Sequence, residues 1–595
     1  MEFTKAQGFK GYYPDLPPDM CPEGALVLGS KNFRIVNGVL MGRPGKELLQ
    51  AGAVKGVPLL LHTNEDITGT RRLVLATTTD IYYWDDTNTV FKCLTPRHTI
   101  GTANCAGSTT TVEGAGSPDW VTAEIAEYDQ IKFGTNNIDG VGTPDTWYTI
   151  DSVTDLDTLE LKVNGPNTSG AVNYVIRKVF AGSTLYRWRA IDFYDSVADE
   201  NLVILTNGTD AMHKWDPDNA YAEVLGGSPP KCKELATIAG RLVVGNISAA
   251  TGTGTALAFT IIWTPVSRAE LWAGGGSDDA GYQELYVTPG GVKFMTLWGG
   301  FLVIAKEDCI GFLRPTGSTS VPLEFDYIGM SAGSLTNVYH VMKRGVAYLS
   351  TDDVVVFDGT PIPKSIGYGK VAEAIFESFN HTKRYLTTSV YSPRYNEWRV
   401  SVPSVDADYP DRTFIYRVKE DEWCYDDVGF LALGAYNYKT ETTINQLTSA
   451  IDSYDNPIDE WSATGEFSEV VCADENGYVY IERPALKQDN GVDVAFVAVT
   501  RDNAITSLDQ VERIQQSLIH YEGTGAVADE LSVQLSVDGG GTVQAGQTFN
   551  NNESAIRRRA VQSWNNAGRI ARLIFTGRAA HLLAYRFGYE LEGDR

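Results

Sequence analysis

The chain has 595 residues, a mass of 65.0 kDa and a formal net charge of −26 at pH 7. So acidic a surface does not bind nucleic acid by neutralising phosphates, which argues against a sequence-specific DNA-binding protein. Apolar residues make up 43% of the sequence, enough to fill the cores of about two to four domains. The 58 Gly, 30 Tyr and 22 Phe favour strands and turns, so we predict an all-β protein.

The cysteines and the first residues bear on where the protein is made. Seven cysteines are scattered without a CxxC pair, which argues against a disulfide scaffold and a zinc site. The opening MEFTKAQGFKGYY lacks a basic start followed by an apolar run, and no apolar window is long enough to span a membrane. We therefore expect synthesis in the cytoplasm, reduced thiols and no membrane span.

The clearest local structure is a hairpin in residues 23–45, EGALVLGSKNFRIVNGVLMGRPG. Asn37 and Gly38 tolerate the positive φ angles that a two-residue hairpin turn needs, and apolar residues alternate on both sides of them. Pro44-Gly45 ends the second strand. The pattern predicts two antiparallel strands with one buried face.

From residue 57 a short hydrophobic strand, a polar turn and a further strand recur along the chain. Examples are RRLVLATTTDIYYWDD, ENLVILTNGTDAMHKWDPDN, GGFLVIAKEDCIGFLRPTG and RGVAYLSTDDVVVFDGT. Val292, Val338 and Leu386 are separated by intervals of about 46 and 48 residues, which suit four-stranded blades. We predict a β-propeller of about six to seven blades; the alternative is an ordinary large β-sandwich.

Residues 99–180 interrupt this repeat with short Thr/Gly-rich strands, and STLYRW then resumes it. We predict an inserted small β-barrel, because insertion into a surface loop costs little closure entropy. From about residue 490 alternating strands joined by Gly/Asp turns predict a C-terminal β-sandwich. The predicted domains are 1–98 (hairpin and first propeller strands), 99–180 (inserted barrel), 181–488 (remaining propeller) and 489–595 (sandwich).

The order of these features resembles the tail nozzle proteins of short-tailed bacteriophages, also called packaged-DNA stabilisation proteins. The resemblance rests on a Pro-rich lead-in, EGAL...SKNFRIVNGVLMGRPG, the blade-like repeats, the insert, YNEWRVSVP with RTFIYRVKEDEWCYDD, and the ending YRFGYELEGDR. It implies a structural virion protein that assembles as a homohexameric ring below the portal and adaptor. It also implies attachment of tail fibres or spikes, and retention of double-stranded DNA that passes without specific binding.

A search for chemistry finds few candidates. There is no HExxH or GxSxG motif, and SIGYGK, which ends in Lys370, lacks the first Gly of a phosphate loop. DSYDNPIDEW could offer Asp452, Asp455 and Asp459 to a cation, but it lacks the Gly and Glu of an EF-hand, so a solvated loop is the preferred interpretation. The expected catalytic, cofactor and metal sites are therefore none.

Two further motifs are interpreted structurally. Ser536, Asp538, Gly540 and Thr542 match most of an Asp-box, which we interpret as a hairpin turn and not as the mark of a glycosidase. Arg557, Arg558 and Arg559 form the one dense basic run, which fits a salt-bridged or partner-facing strand edge better than a DNA site.

The resemblance to nozzle proteins implies a virion tail protein, and the lack of catalytic motifs leads us to expect that the chain is not an enzyme. The alternatives are a receptor-binding or carbohydrate-binding propeller and a tail-associated glycan hydrolase. The sequence leaves the pore-gating and docking residues unknown.

Overall fold

The hairpin predicted at Asn37-Gly38 is present in the computed structural model. Strands Phe33–Val36 and Val39–Gly42 pair antiparallel, with Val36 opposite Val39. Asn37 and Gly38 both have positive φ angles, 52° and 81°, as a two-residue type I′ turn requires. The prediction from the local sequence is confirmed.

The structure describes residues 2–591 apart from 107–108, 122, 124, 126, 135–146, 169, 181, 250–256, 273–278, 319–320, 438–467, 484–485, 505–511, 523–529, 538–541, 551–556 and 578–580. Within the described residues the regular secondary structure is almost entirely β-strand, which confirms the all-β prediction. In this part no helix is long and apolar enough to cross a membrane. The helices found among these residues are the short α-helix Ala372–Phe376 and the 3₁₀-helix His381–Leu386.

The chain divides into two compact units with different bounds from the predicted domains. The first contains residues 1–52, 305–311 and 327–595, and the second contains residues 53–304 and 312–326. The four-part division made from the sequence stays a prediction.

The second unit contains three four-stranded antiparallel sheets, in each of which the strands pair in chain order. Sheet 1 consists of Pro58–Glu65, Arg71–Thr77, Ile81–Asp85 and Val90–Cys93. Sheet 2 consists of Arg189–Asp195, Glu200–Thr206, His213–Trp215 and Glu223–Val224. Sheet 3 consists of Lys231–Ile238, Arg241–Ala249, Thr260–Trp263 and Gly281–Glu284.

Strand Glu200–Thr206 shows why strands of these sheets form continuous apolar runs in the sequence. Val203 and Leu205 lie in a core shared with residues of sheet 1, whereas Leu202 and Ile204 lie in a core shared with sheet 3. Successive side chains of a strand point to opposite faces, so a strand buried on both faces needs apolar residues at every position.

Between sheets 1 and 2 the chain forms a seven-stranded insert sheet with its own core. Ala103 and Val172 exchange two backbone hydrogen bonds of 2.8 and 2.9 Å, which link the first strand of this sheet to the segment before its strand Tyr174–Arg177. In spatial order the strands are Thr102–Cys105, Thr111–Ala115, Thr158–Leu161, Tyr148–Val153, Gln130–Phe133, Tyr174–Arg177 and Arg97–His98.

Sheet 4 follows in the chain. It consists of Val292–Trp298, Phe301–Lys306, Cys309–Pro315 and Leu323–Met330.

The first unit contains three further sheets of this series. Sheet 5 consists of Tyr339–Met342, Gly345–Leu349, Val354–Phe357 and Lys364–Ser365. Sheet 6 consists of Thr388–Ser392, Glu397–Val402, Arg412–Arg417 and Glu422–Asp426. Sheet 7 consists, in spatial order, of Ala432–Tyr436, Glu469–Ala473, Val479–Arg483, Gly45–Leu48, Gln488–Asp489 and Val492–Asp493.

Sheet 7 contains a strand from the other end of the sequence. Gly45–Leu48 pairs antiparallel with Val479–Arg483, so its fourth strand comes from the N-terminal segment. Val390 of sheet 6 packs with Leu433, Val470 and Cys472 of sheet 7.

The hairpin belongs to a sheet formed with C-terminal strands. This hairpin sheet contains, in order, Phe33–Val36, Val39–Gly42, His581–Leu591, Glu512–Glu522 and Arg557–Gly568, and Glu2–Phe3 pairs with His581–Leu591. A covering sheet contains, in order, Phe496–Val499, Ile570–Gly577, Glu530–Val537 and Thr542–Asn550, and Asn503–Ala504 pairs with Ile570–Gly577. The two sheets share one core, in which the rings of Phe575 and Tyr585 lie 6.0 Å apart.

Candidate functional site: buried charges beside an open cavity

The hairpin carries a buried arginine into the first unit. Arg34 lies between the core residues Phe33 and Ile35, and its side chain is 3% exposed. Its Nη1 and Nη2 donate to the two carboxylate oxygens of Asp426 at 2.7 and 2.8 Å, and its Nε lies 3.4 Å from Glu397 Oε2. Burial alone would lower the pKa of Arg34, but Asp426 and Glu397 raise it well above its ordinary value.

The charges continue through sheets 6 and 7. Arg399 Nη2 donates to Glu397 at 3.1 Å, and Arg399 Nη1 donates to Glu482 at 2.6 Å. All three side chains are buried. Burial would raise the pKa of Asp426, yet the neighbouring Arg34 holds it below its usual range. Every member of this network therefore relies on an opposite charge for its solvation.

A second group of charges follows the hairpin along the chain. The Arg43 guanidinium binds the Asp489 carboxylate at two points, with Nη1–Oδ1 at 3.0 Å. Lys46 lies on the fourth strand of sheet 7. Its Nζ is 3.8 Å from Asp489 Oδ2 and 4.1 Å from the centre of the Phe430 ring. Burial, and then the nearby Arg43, lower the pKa of the Lys46 ammonium.

Lys46 borders an open cavity of about 450 Å³, within the range of small-ligand sites. The lining is rich in carboxylates and aromatic rings. It consists of Lys46, Tyr409, Pro410, Asp411, Asp427, Val428, Gly429, Phe430, Asp474, Glu475, Tyr480, Asp489 and Asn490.

Most of the lining carboxylates already have partners. Asp411 accepts from the backbone and hydroxyl of Ser404, and Asp427 pairs with Lys31 at 2.7 Å. Asp474 accepts from the Tyr480 hydroxyl at 3.1 Å and from two amides of its own turn. In the part of the chain that the structure describes, no group of three or more His, Cys, Asp or Glu is arranged to hold a metal ion.

The residues singled out in the sequence lie elsewhere. Asp452, Asp455 and Asp459 fall outside the described residues. Lys370 donates to the backbone oxygen and the carboxylate of Asp421, in keeping with its interpretation as part of a turn. The basic run Arg557–Arg559 pairs through its backbone with Glu522, Tyr521 and His520 in the hairpin sheet.

The partial Asp-box spans a hairpin connection. Val537 and Thr542 face each other at the ends of two antiparallel strands, as a hairpin turn requires, while Asp538 and Gly540 fall outside the described residues.

Sequence reasoning missed both the charge network and the cavity. The available signal was a charged residue within an apolar strand, as in FRIV, EWRVSV and VYIER. Such charges are almost never fully buried without a partner, so their partners had to lie elsewhere in the fold. The pattern did not show which strands would meet.

Comparison with known proteins gives no family. No family model matches the chain, and no curated protein matches it. Similar solved structures include a glycoside hydrolase family 43 arabinoxylan arabinofuranohydrolase from Bacillus subtilis (8% identity, 98% of this chain and 99% of that chain, TM-score 0.17). Others are an exo-β-1,3-galactanase from Phanerochaete chrysosporium (9%, 86% and 99%, 0.17) and the extracellular domain of a protein described as a one-component system from B. thetaiotaomicron (8%, 91% and 79%, 0.25).

One sequence-based prediction needs correction. Two of these structures are glycoside hydrolases, which contradicts the prediction that the chain is not an enzyme, and we withdraw it. That prediction rests on the absence of a familiar catalytic motif. A glycosidase, however, uses a pair of carboxylates that can be far apart in the sequence, so it need not show such a motif. The TM-scores are too low for the likeness to assign an activity to this chain.

Proposed function

We propose that the chain is a structural protein of a short-tailed bacteriophage tail nozzle, built as a seven-bladed β-propeller with an inserted barrel and a C-terminal sandwich. Support for the propeller comes from sheets 1 to 7, which follow one another along the chain with four consecutive strands in each of the first six. The two-sided burial of Glu200–Thr206 is what a blade packed between two neighbours requires.

Sheet 7 is the observation that carries the propeller part of this proposal, while the assignment to a tail nozzle rests on the resemblance in sequence order. Strand Gly45–Leu48 of sheet 7 precedes sheet 1 in the sequence, yet it pairs with Val479–Arg483 of the last sheet. Such mixing of chain ends within one blade would hold a propeller ring closed, because backbone hydrogen bonds then join its first and last parts. The N-terminal hairpin would then anchor this closure through Arg34 and Arg43.

In the proposed virion tail, six copies form a ring below the portal and adaptor proteins and carry tail fibres or spikes on the flank. Loops from the six subunits close the bore, hold back the packaged DNA and open when the phage meets its receptor. A net charge of −26 per copy suits a channel wall that does not hold the duplex.

The test is the size of the assembly. Light scattering after size-exclusion chromatography, with and without the phage's adaptor protein, should give a ring mass of about six chains in at least one condition, and negative-stain images should show six-fold rings. A chain that stays at 65.0 kDa and ignores the adaptor would contradict the proposal. A monomer retained on glycans would support the alternative, a carbohydrate-binding propeller.

A further inference from the structure

The side chain of Lys46 is buried and donates no hydrogen bond within the part of the chain that the structure describes. Its side chain is 4% exposed, and the residue lines the open cavity. Its Nζ lies 3.8 Å from Asp489 Oδ2, which is too distant for a hydrogen bond, and 4.1 Å from the centre of the Phe430 ring. An ammonium that no described residue holds by a hydrogen bond, at the edge of an open cavity, is left to water or to an acceptor that enters the cavity.

The surroundings of Lys46 select the kind of acceptor. Asp411, Asp427, Asp474, Glu475 and Asp489 make the lining strongly negative, which repels an anionic ligand. A cationic ligand would be repelled by the Lys46 ammonium, the group in this lining that still lacks a hydrogen-bond acceptor.

Donor, acceptor and ring surfaces occur together in this lining. Lys46 offers N–H donors, Glu475 and Asn490 offer acceptors at the exposed side, and Tyr409, Phe430 and Tyr480 offer rings. A sugar presents hydroxyls, which both donate and accept, and apolar C–H faces, which pack on aromatic rings.

We propose that the cavity between Lys46 and Tyr409 binds a neutral saccharide, with a sugar hydroxyl accepting from Lys46 Nζ. This site lies within the first unit, and the proposal does not depend on assembly into a nozzle ring. The negative charge of the lining carboxylates excludes uronic acids and phosphorylated sugars. The same carboxylates accept hydrogen bonds from the remaining sugar hydroxyls.

The experiment uses the full chain and defined probes. Purified protein is applied to an array of neutral hexose and pentose oligosaccharides, with oligogalacturonides as the charged counterpart, and the best-retained neutral oligosaccharide is then titrated by calorimetry. We expect retention of at least one neutral probe and none of the oligogalacturonides. Failure to retain any neutral probe, or preference for the charged ones, overturns the proposal.

Three variants test the residues. Lys46→Met removes the donor with little change in shape and should weaken binding about tenfold or more. Tyr409→Ala, in a half-buried loop position, should weaken it about fivefold and covers the case that Lys46→Met does not fold. Lys419→Met changes an exposed lysine away from the cavity and should bind like the parent chain.

If the Tyr409→Ala protein and the Lys419→Met control bind the neutral oligosaccharide with equal affinity, the proposed saccharide site is overturned. Because the titration reports on the isolated chain, a chain that fails to form rings can still pass this test, and a ring-forming chain can still fail it.

Discussion

Arg34 and Asp426 form a buried two-point ion pair across 392 positions of sequence, with Nη–Oδ distances of 2.7 and 2.8 Å. The pair joins the N-terminal hairpin to the last strand of sheet 6. Since Glu397 lies on the other side of the guanidinium, Arg34 serves two carboxylates at once.

Replacing Arg34 should therefore be severe. Arg34→Met leaves Asp426 and Glu397 without their common partner, and we expect a loss of about 3–5 kcal/mol in the free energy of unfolding. Urea unfolding followed by tryptophan fluorescence measures it. The matched control is Lys364→Met, whose side chain is 74% exposed and pairs with Asp358, and which should change stability by less than about 1 kcal/mol. Similar losses in the two variants would mean that the buried pair is not important.

Gly38→Val tests the type I′ turn. The φ of 81° is strained for a β-branched residue, and we expect destabilisation by about 1–2 kcal/mol. A Cβ at this position would meet only Phe9 O, at 3.8 Å, so the effect should come from the backbone and not from a clash. Gly38→Asn, which tolerates this φ, should cost less. An unchanged melting temperature for the valine variant would contradict the assigned turn.

The insert should be removable. Its core residues all lie between Ala103 and Ile176, whereas Phe180, which stays, packs on Trp188 with ring centres 4.8 Å apart. Deleting residues 101–179 and joining the ends with a short Gly/Ser linker should give a soluble protein with a cooperative thermal transition and a β-type circular dichroism spectrum. Insoluble protein with every linker tried would show that the insert is needed for folding.

His213 should make the second unit sensitive to acid. The ring is fully buried beside Phe180 and Trp188, and burial lowers its pKa from 6.5 to about 4. Because the fold favours the neutral form, this contribution to stability is complete above pH 6.5 and is lost as the pH falls to about 4, by at most about 3 kcal/mol.

The measurement for His213 is urea unfolding at several pH values between 4 and 7. His213→Phe should flatten the dependence, whereas His381→Gln, at an exposed position, should leave it as in the parent chain. Parallel curves for the parent and His213→Phe would count against the assignment.

The charge of the chain gives a prediction about DNA. The isolated protein should show no measurable binding to duplex DNA in a mobility-shift assay at about 0.15 M salt, because a net charge of −26 repels phosphates over about a Debye length. A clear, salt-dependent affinity would contradict the proposed channel and favour a DNA-clamping role.

What the sequence could predict depended on distance along the chain. Asn37-Gly38 specifies its turn within four residues, and the alternation around it is equally local, so the hairpin was predictable. The recurring strand-turn-strand units were visible for the same reason. By contrast, nothing in GKEL indicates that Gly45–Leu48 pairs with Val479–Arg483, because backbone hydrogen bonding carries no side-chain pattern of its own.

The candidate site could not be predicted for a related reason. Lys46, Tyr409, Phe430 and Asp489 come from four separate segments, and none of these segments contains a recognisable motif. Only the fold brings them to one cavity. A charge within an apolar strand, such as Arg34 in FRIV, signals that a partner exists but does not identify Asp426.

The origin of the fourth strand of sheet 7 also sets an order of events during synthesis. Gly45–Leu48 leaves the ribosome early, but its partner Val479–Arg483 follows about 430 residues later, which takes roughly 20–90 s at about 5–20 residues per second. Throughout that interval the strand presents an unpaired edge that other nascent chains could join. Lys46 and Glu47 put charge on this edge, so the residues that later border the cavity and the sheet would first keep the unfinished chain from aggregating.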